Sequence, residues 1–230
     1  MRIVLFGAPG VGKGTFAEIL AEKEKLKHIN IGNILRNEIK KKTSIGKEIN
    51  KIVNSGNLVP DNIITHIINE EIKKCSINNT NNNFKGFILD GFPRNINQSK
   101  ELIKITNIDL FVNIFSPKYI LIKKLLGRRI CTICNNCFNI VNIKDKDFDM
   151  PPLLPSKNCH ICKGNANLVK RGDDNEETIL HRLNSYESSN AQIIDFFKNL
   201  KYNFIDFEIK KGIKDFDEFH KTILSNFKKF

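Results

Sequence analysis

The chain has 230 residues, of which 40% are hydrophobic and 27% charged, with a net charge of +12. That is ample chain for a packed globular core, and no run approaches the roughly 20 apolar residues of a membrane-spanning helix. A nucleic-acid binder of this charge needs clustered basic residues interleaved with aromatics, whereas here the lysines are scattered, Trp is absent and Tyr numbers three, which argues against that class.

In chain order, strand-length apolar runs alternate with longer amphipathic stretches. Strands are predicted at Arg2–Phe6, Lys27–Asn30, Lys85–Leu89, Leu110–Phe115 and Asn203–Asp206. Helices are predicted near residues 13–25, 61–74, 95–105, 117–127, 175–200 and 213–228. This alternation implies an α/β fold, a parallel five-stranded sheet flanked by helices. Two regions break the rhythm and read as protruding insertions: residues 31–59, as two short helices, and residues 128–170, rich in Cys, Asn and Pro. The Asn run at 78–83 reads as a surface loop. The opening apolar run Met1–Phe6 has neither a signal-peptide nor a transit-peptide layout, so a cytoplasmic protein is expected.

Between the first strand and the first helix lies Gly7-Ala8-Pro9-Gly10-Val11-Gly12-Lys13-Gly14-Thr15. Glycines let backbone N–H groups wrap a phosphate, and Lys13 would reach the outer phosphates. The generic phosphate-loop pattern wants Ser or Thr directly after Lys; here Gly14 intervenes and Thr15 follows. Only seven of the 37 basic residues are arginine: Arg2, Arg36, Arg94, Arg128, Arg129, Arg171 and Arg182. In so lysine-rich a chain, arginine marks positions where a planar bidentate fork is needed, above all against phosphate or carboxylate.

Five of six cysteines fall at 131, 134, 137, 159 and 162. Two CxxC pairs in a chain without a secretory segment read as one tetrahedral zinc site. Cys131 and Cys134 with Cys159 and Cys162 match best, Cys134 with Cys137 being the competing first pair; four thiolates leave no open position, so the zinc would be structural. A redox role is the lesser alternative, and His160 is at most a secondary ligand. Cys75 reads as an ordinary half-buried thiol.

The loop variant GxPGxGKGT resembles that of the adenylate kinase family of nucleoside monophosphate kinases, and further motifs follow in order. Ile31-Gly32-Asn33-Ile34-Leu35-Arg36 resembles the family's T/S-G-D-x-L-R, and Gly56-Asn57-Leu58-Val59-Pro60-Asp61 its G-x-L-V-P/T-D turn. Leu89-Asp90-Gly91-Phe92-Pro93-Arg94 with Gln98 resembles D-G-F-P-R…Q. Gly127-Arg128-Arg129 and Arg171-Gly172-Asp173-Asp174 with Arg182 resemble the two ends of its lid. The resemblance spans residues 1 to about 206. It implies a P-loop core of residues 1–29, 60–127 and 171–230, an acceptor-binding arm of 30–59, and a zinc-bearing lid of 128–170, where 139–150 look like extra loop. It implies Mg²⁺-dependent transfer of the terminal phosphoryl group of ATP, or GTP, to AMP by a monomer without nucleic-acid or membrane partners.

By the same resemblance, Lys13, Asp90, Arg94, Arg128, Arg171 and Arg182 are the catalytic set, with Asp90 orienting Mg²⁺ through its water shell. Gly10, Val11, Gly12, Gly14, Thr15, Lys124 and Arg128 would bind the donor together with Lys13. Ile31, Gly32, Arg36, Asn57, Leu58, Val59, Gly91, Phe92, Pro93 and Gln98 would hold the acceptor together with Arg94, Arg171 and Arg182. Asp173 and Asp174 look like lid-closure partners, Arg129 like a salt-bridge residue and Arg2 like a structural one. Departures from the family pattern gather at base recognition. Ile31 replaces a hydroxyl residue, Asn33 replaces Asp while keeping its capping ability, Phe16 replaces Gln, and Lys124 replaces an Arg that stacks on the donor base. Asp206-Phe207 lacks the glycine usual beside the donor base. The alternatives are a kinase of altered base preference (GTP donor, UMP or CMP acceptor) and a catalytically weak nucleotide-binding protein.

Overall fold

A computed structural model describes residues 1–42, 44–75 and 84–227; the Asn run at 78–83 lies outside them. The elements in order are β1 (Arg2–Phe6), α1 (Lys13–Glu24), β2 (Lys27–Asn30), α2 (Ile31–Lys40), α3 (Ser44–Asn54), α4 (Asp61–Lys74), β3 (Phe87–Asp90), α5 (Ile96–Ile105), β4 (Leu110–Phe115) and α6 (Lys118–Gly127). Then come β5 (Arg128–Cys131), β6 (Cys137–Asn139), β7 (Ile143–Asp145), β8 (Phe148–Met150), β9 (Leu168–Val169), α7 (Glu176–Asn199), β10 (Phe204–Glu208), a 3₁₀ turn (Gly212–Asp215) and α8 (Phe216–Phe227). Among the described residues no helix is long and apolar enough to cross a membrane.

The central sheet has the order β10-β4-β1-β3-β2, every pair parallel. Helices cover both faces, so its inner strands can be apolar throughout. Along β1 the side chains alternate between two cores. Ile3 and Leu5 join the cluster with Phe16, Leu20, Ile120, Leu121 and Phe219. Val4 and Phe6 join the one with Ile68, Leu102, Phe111 and Phe197. In the second, Phe111 stacks on Phe197 with ring centroids 4.2 Å apart and lies 5.5 Å from Phe6. Burying each such ring contributes about 1.5–3 kcal/mol. Arg2 is structural: its guanidinium and its backbone N–H both donate to Asp109.

After α6 the chain leaves the main sheet. Strands β6-β5-β9 form an antiparallel sheet and β7-β8 a hairpin. The hairpin corrects the reading of 139–150 as extra loop. Ile143, Phe148 and Met150 are buried in the main core cluster, and the Asp149 N–H donates to Lys210 O at 3.0 Å, docking the hairpin beside the chain that follows β10. Arg129 likewise differs from expectation. It makes no salt bridge among the described residues; its Nη1 donates to Leu126 O and Arg128 O at the C-terminal end of α6.

Candidate active site

A cleft of about 430 Å³ opens at the carboxyl ends of the parallel strands, where such sheets place their ligands. The loop from Gly7 to Gly12 bends from β1 into α1 through backbone angles open to glycine: Gly10 has φ +85° and Gly12 φ +116°. At Gly10 even a methyl group would sit 2.6 Å from Leu125 Cγ. Gly10, Gly12, Lys13, Gly14 and Thr15 all line the cleft. Val11 is fully buried, and its contribution is its carbonyl, which accepts from Lys124 Nζ at 2.7 Å.

Lys13 Nζ donates to Gly7 O at 2.6 Å and Ala8 O at 2.9 Å. Burial lowers its pKa to about 8, against the opposing pull of Asp90. Asp90, at the end of β3, is buried. Its Oδ2 accepts from Asn30 Nδ2 at 2.5 Å and lies 3.4 Å from His28 Nε2. Burial would raise this carboxyl; the adjacent His28 ring and the charge of Lys13 outweigh it and hold the pKa below the ordinary value. A carboxylate biased toward its ionised form beside the phosphate loop fits a hydrated Mg²⁺. His28 and Asn30 were missed by sequence reasoning; their place on β2, paired in register with β3, is the signal that could have found them. Asn30 also caps α2, accepting from Asn33 N at 2.8 Å. The cap is therefore not Asn33, whose side chain accepts from Arg36 Nη2 at 2.6 Å.

Five arginines converge on this cleft: Arg36, Arg94, Arg128, Arg171 and Arg182. Burial and mutual repulsion bring Arg36 and Arg94 down to about 10. Arg128 makes a bidentate pair with Asp174, including Nε to Oδ2 at 2.7 Å, and Arg182 Nη1 meets Asp173 Oδ2 at 2.5 Å. Both aspartates precede the Asn175 cap of α7. Even with Asp90, Asp173 and Asp174 present, fixed cations outnumber carboxylates, and several phosphate groups are what such a site can hold.

Beside it, a smaller pocket of about 60 Å³ is lined by Ile31, Gly32, Arg36, Asn57, Leu58, Val59, Gly91, Arg94, Gln98 and Arg182. These are most of the residues expected to hold the acceptor; Phe92, Pro93 and Arg171 line the main cleft. Gln98 is buried with both ends of its amide engaged: Nε2 donates to Asp61 Oδ1 at 2.7 Å and Oε1 accepts from Arg94 N at 2.7 Å. It thereby fixes the Arg94 backbone as well as facing the pocket.

The far end of the main cleft is apolar, formed by Val141, Ile143, Met150, Gly212 and Ile213, none of them anticipated from sequence. Lys124 borders it, its Nζ close to Gly12 and its own carbonyl accepting from Asn139 Nδ2 at 2.8 Å. Gly212, at φ +64°, lines this end. Phe16 is buried and packs edge-on against Phe219 at 4.9 Å.

Away from the cleft floor, the thiols of Cys131, Cys134 and Cys162 lie within 4.8 Å of one another. Cys159 stands outside that trio, near enough for the Cys162 and Cys134 thiols to act on its pKa. The two CxxC turns match. In each, the first sulfur receives backbone N–H bonds from the residues two and three positions on. In each, the residue after the second cysteine has a left-handed backbone (Asn135 φ +60°, Lys163 φ +50°) and donates its N–H to the carbonyl of the first, at 2.8 and 2.9 Å. Such N–H···S bonds favour thiolates and lower Cys159 to about 7, while burial pushes Cys134 up to about 12. The donor set fits a Zn²⁺ of tetrahedral thiolate type. Cys137, the competing ligand, instead lies at Arg171, with Sγ 4.0 Å from Nη2.

The model of one protein family, described as adenylate kinase, matches residues 5–202 of the chain. Among similar proteins, the GTP:AMP phosphotransferase of Plasmodium falciparum (isolate 3D7) is 66% identical over 229 residues, covering 100% of this chain and 98% of its own. The adenylate kinase of Borrelia turicatae (strain 91E135) is 39% identical over 231 residues and covers both chains fully. That of Methanothrix thermoacetophila (strain DSM 6194 / JCM 14653 / NBRC 101360 / PT) is 40% identical over 202 residues, 86% of each chain.

Proposed function

The chain belongs to the adenylate kinase family and is a nucleoside monophosphate phosphotransferase, and from that premise we propose that it transfers the terminal phosphoryl group of GTP to AMP, giving GDP and ADP reversibly. The convergence of five arginines and Lys13 on one cleft at the strand ends carries the reading. The motifs alone put ATP first as donor. The relative named for GTP, two-thirds identical over almost the whole of both chains, reverses that order. ATP remains the second reading, favoured by the more distant relatives named adenylate kinase.

In this reading residues 1–29, 60–127 and 171–230 are the core, 30–59 the acceptor arm and 128–170 the lid. The donor's outer phosphates lie on the loop N–H groups and on Lys13, which exchanges its contacts with Gly7 O and Ala8 O for phosphate oxygens. Arg36 and Arg94 hold the acceptor phosphate. Arg128, Arg171 and Arg182 surround the transferring group. An acceptor oxygen attacks the terminal phosphorus as the bond to the bridging oxygen breaks, and the charge moves to the donor's remaining phosphates. The protein contributes placement and fixed positive charge to this step rather than covalent chemistry. Asp90, held by Asn30 Nδ2 with His28 beside it, would hold the water shell of the Mg²⁺ that the kinase family implies with its nucleotide, and that ion would supply further positive charge against the phosphates. A structural zinc on Cys131, Cys134, Cys159 and Cys162 keeps the lid folded, and the protein acts as a monomer.

The test is a chromatographic product assay on zinc-loaded protein, pairing GTP and ATP with AMP, GMP, UMP and CMP in the presence of Mg²⁺. GTP with AMP is expected to turn over fastest. Turnover with no pair, from folded protein that still binds nucleotide, would leave only a binding protein.

A further inference from the structure

The two ends of the main cleft differ in what they can recognise. At the phosphate end the cations are crowded and two are already paired with carboxylates. At the apolar end, among the described residues, Lys124 is the cationic side chain beside Gly12 and Ile209. One of its three N–H groups goes to Val11 O at 2.7 Å, and no carboxylate lies within ion-pairing distance of it among the described residues. The carboxylate whose charge acts on it is the buried Asp215, whose Oδ2 accepts the N–H groups of Lys210 and Lys211 at 2.8 and 2.7 Å. Lys124 is thus a half-buried ammonium with donor capacity to spare, at the edge of a pocket whose walls offer apolar contact.

A purine that fills this apolar end brings an edge of fixed polarity. Guanine presents two acceptors side by side, O6 and N7, the pair that Lys and Arg read when they recognise guanine elsewhere. Adenine presents N7 beside an exocyclic amino group, a donor. An ammonium facing position 6 gains a charge-assisted bond from the first and meets a like donor in the second, and a donor left unmatched in a desolvated site is what makes such discrimination steep. We infer that Lys124 is the specificity-determining residue of the donor site, selecting guanine over adenine by reading the oxygen at position 6 of the purine. This rests on the reading of the protein as a kinase that uses GTP.

The experiment uses the full-length, zinc-loaded protein with AMP as acceptor and compares kcat/KM for four donors: GTP, ITP, ATP and the triphosphate of 2,6-diaminopurine riboside. ITP keeps O6 and lacks the 2-amino group; the diaminopurine keeps the 2-amino group and carries an amine at position 6. Reading at position 6 predicts that ITP behaves like GTP and the diaminopurine like ATP, the two classes differing by about 10–100-fold. This series needs no variant. In Lys124→Met the GTP-to-ATP ratio should fall by about tenfold or more, with KM for AMP unmoved. In Lys124→Gln, whose amide can face either edge, the ratio should approach one. Equal losses for GTP and ATP would mean that Lys124 merely props the Val11 carbonyl, and would overturn the inference. So would slow ITP with fast diaminopurine. A wild-type preference for ATP overturns the donor reading itself, whereas a GTP preference that survives in Lys124→Met removes only the role of Lys124.

Discussion

The phosphate end and the base end of one cleft are built in different ways. At the phosphate end each functional group stands on or beside a regular element: Lys13 at the start of α1, Asp90 at the end of β3, Arg182 within α7. The base end is assembled from a short hairpin, the turn after β10 and one lysine near the end of α6. On the proposed reading the chemistry of transfer sits where the backbone is most constrained. Selectivity sits on segments outside the sheet, although the hairpin's Ile143, Phe148 and Met150 join the sheet's core.

The largest expected effect lies at the phosphate end. Arg94→Ala should lower kcat by about 10³-fold or more and do so equally for GTP and ATP, with the fold unchanged by circular dichroism. A loss confined to one donor would erase the distinction between the two ends. Next in size is the thiol cluster. Cys131→Ser should abolish zinc binding and lower the thermal midpoint, whereas Cys137→Ser should keep about one zinc per chain. Metal analysis showing the reverse would make Cys137 a ligand. At the base end, Met150→Asn should raise KM for the donor about tenfold, roughly the burial of one apolar side chain, leaving KM for AMP unaltered. A matching rise for AMP would place the hairpin in both sites.

The smallest effect is protonic. Lys13 and Lys124 stand at about 8 in the folded chain against the ordinary 10.5. The unfolded chain therefore binds more protons between about pH 8 and 10.5, and the contribution of these groups to stability rises with pH across that window. Donor binding brings negative charge to Lys13 and raises its pKa again. Calorimetry at pH 8.5 in buffers of different ionisation enthalpy should show a fractional proton uptake on binding, smaller at pH 7. Proton release instead would mean that the triphosphate does not lie on Lys13.

The sheet was legible mainly through the apolar runs of its inner strands: Ile3 to Phe6, Phe87 to Leu89 and Leu110 to Val112 are buried throughout. The phosphate loop was legible because its chemistry needs glycines and a lysine at fixed spacing. The five arginines stood out because the chain uses lysine wherever a simple charge suffices. The hairpin was not legible. Ile143, Phe148 and Met150 lie on three-residue strands too short to show a period, and their burial depends on Lys210 and Gly212, some sixty residues further on. For the same reason the partners of Asp90 escaped notice: His28 and Asn30 reach it only through strand register. Arg129 looked like an ion-pair residue by its type, but the end of α6 offered it free carbonyls instead.

The pairing of Arg128 with Asp174 and of Arg182 with Asp173 means that the cleft at rest carries counterions of its own. On the proposed reading a triphosphate would meet no bare positive hollow but would compete with carboxylates that belong to the turn before α7 and stay tethered beside it. When product leaves, the same two side chains are at hand to take back the guanidinium groups. Departure is thereby spared part of the cost of exposing repelling charges. In the proposed reaction the site holds four phosphates in either direction, and anions it never loses would help it both to grip them and to let them go.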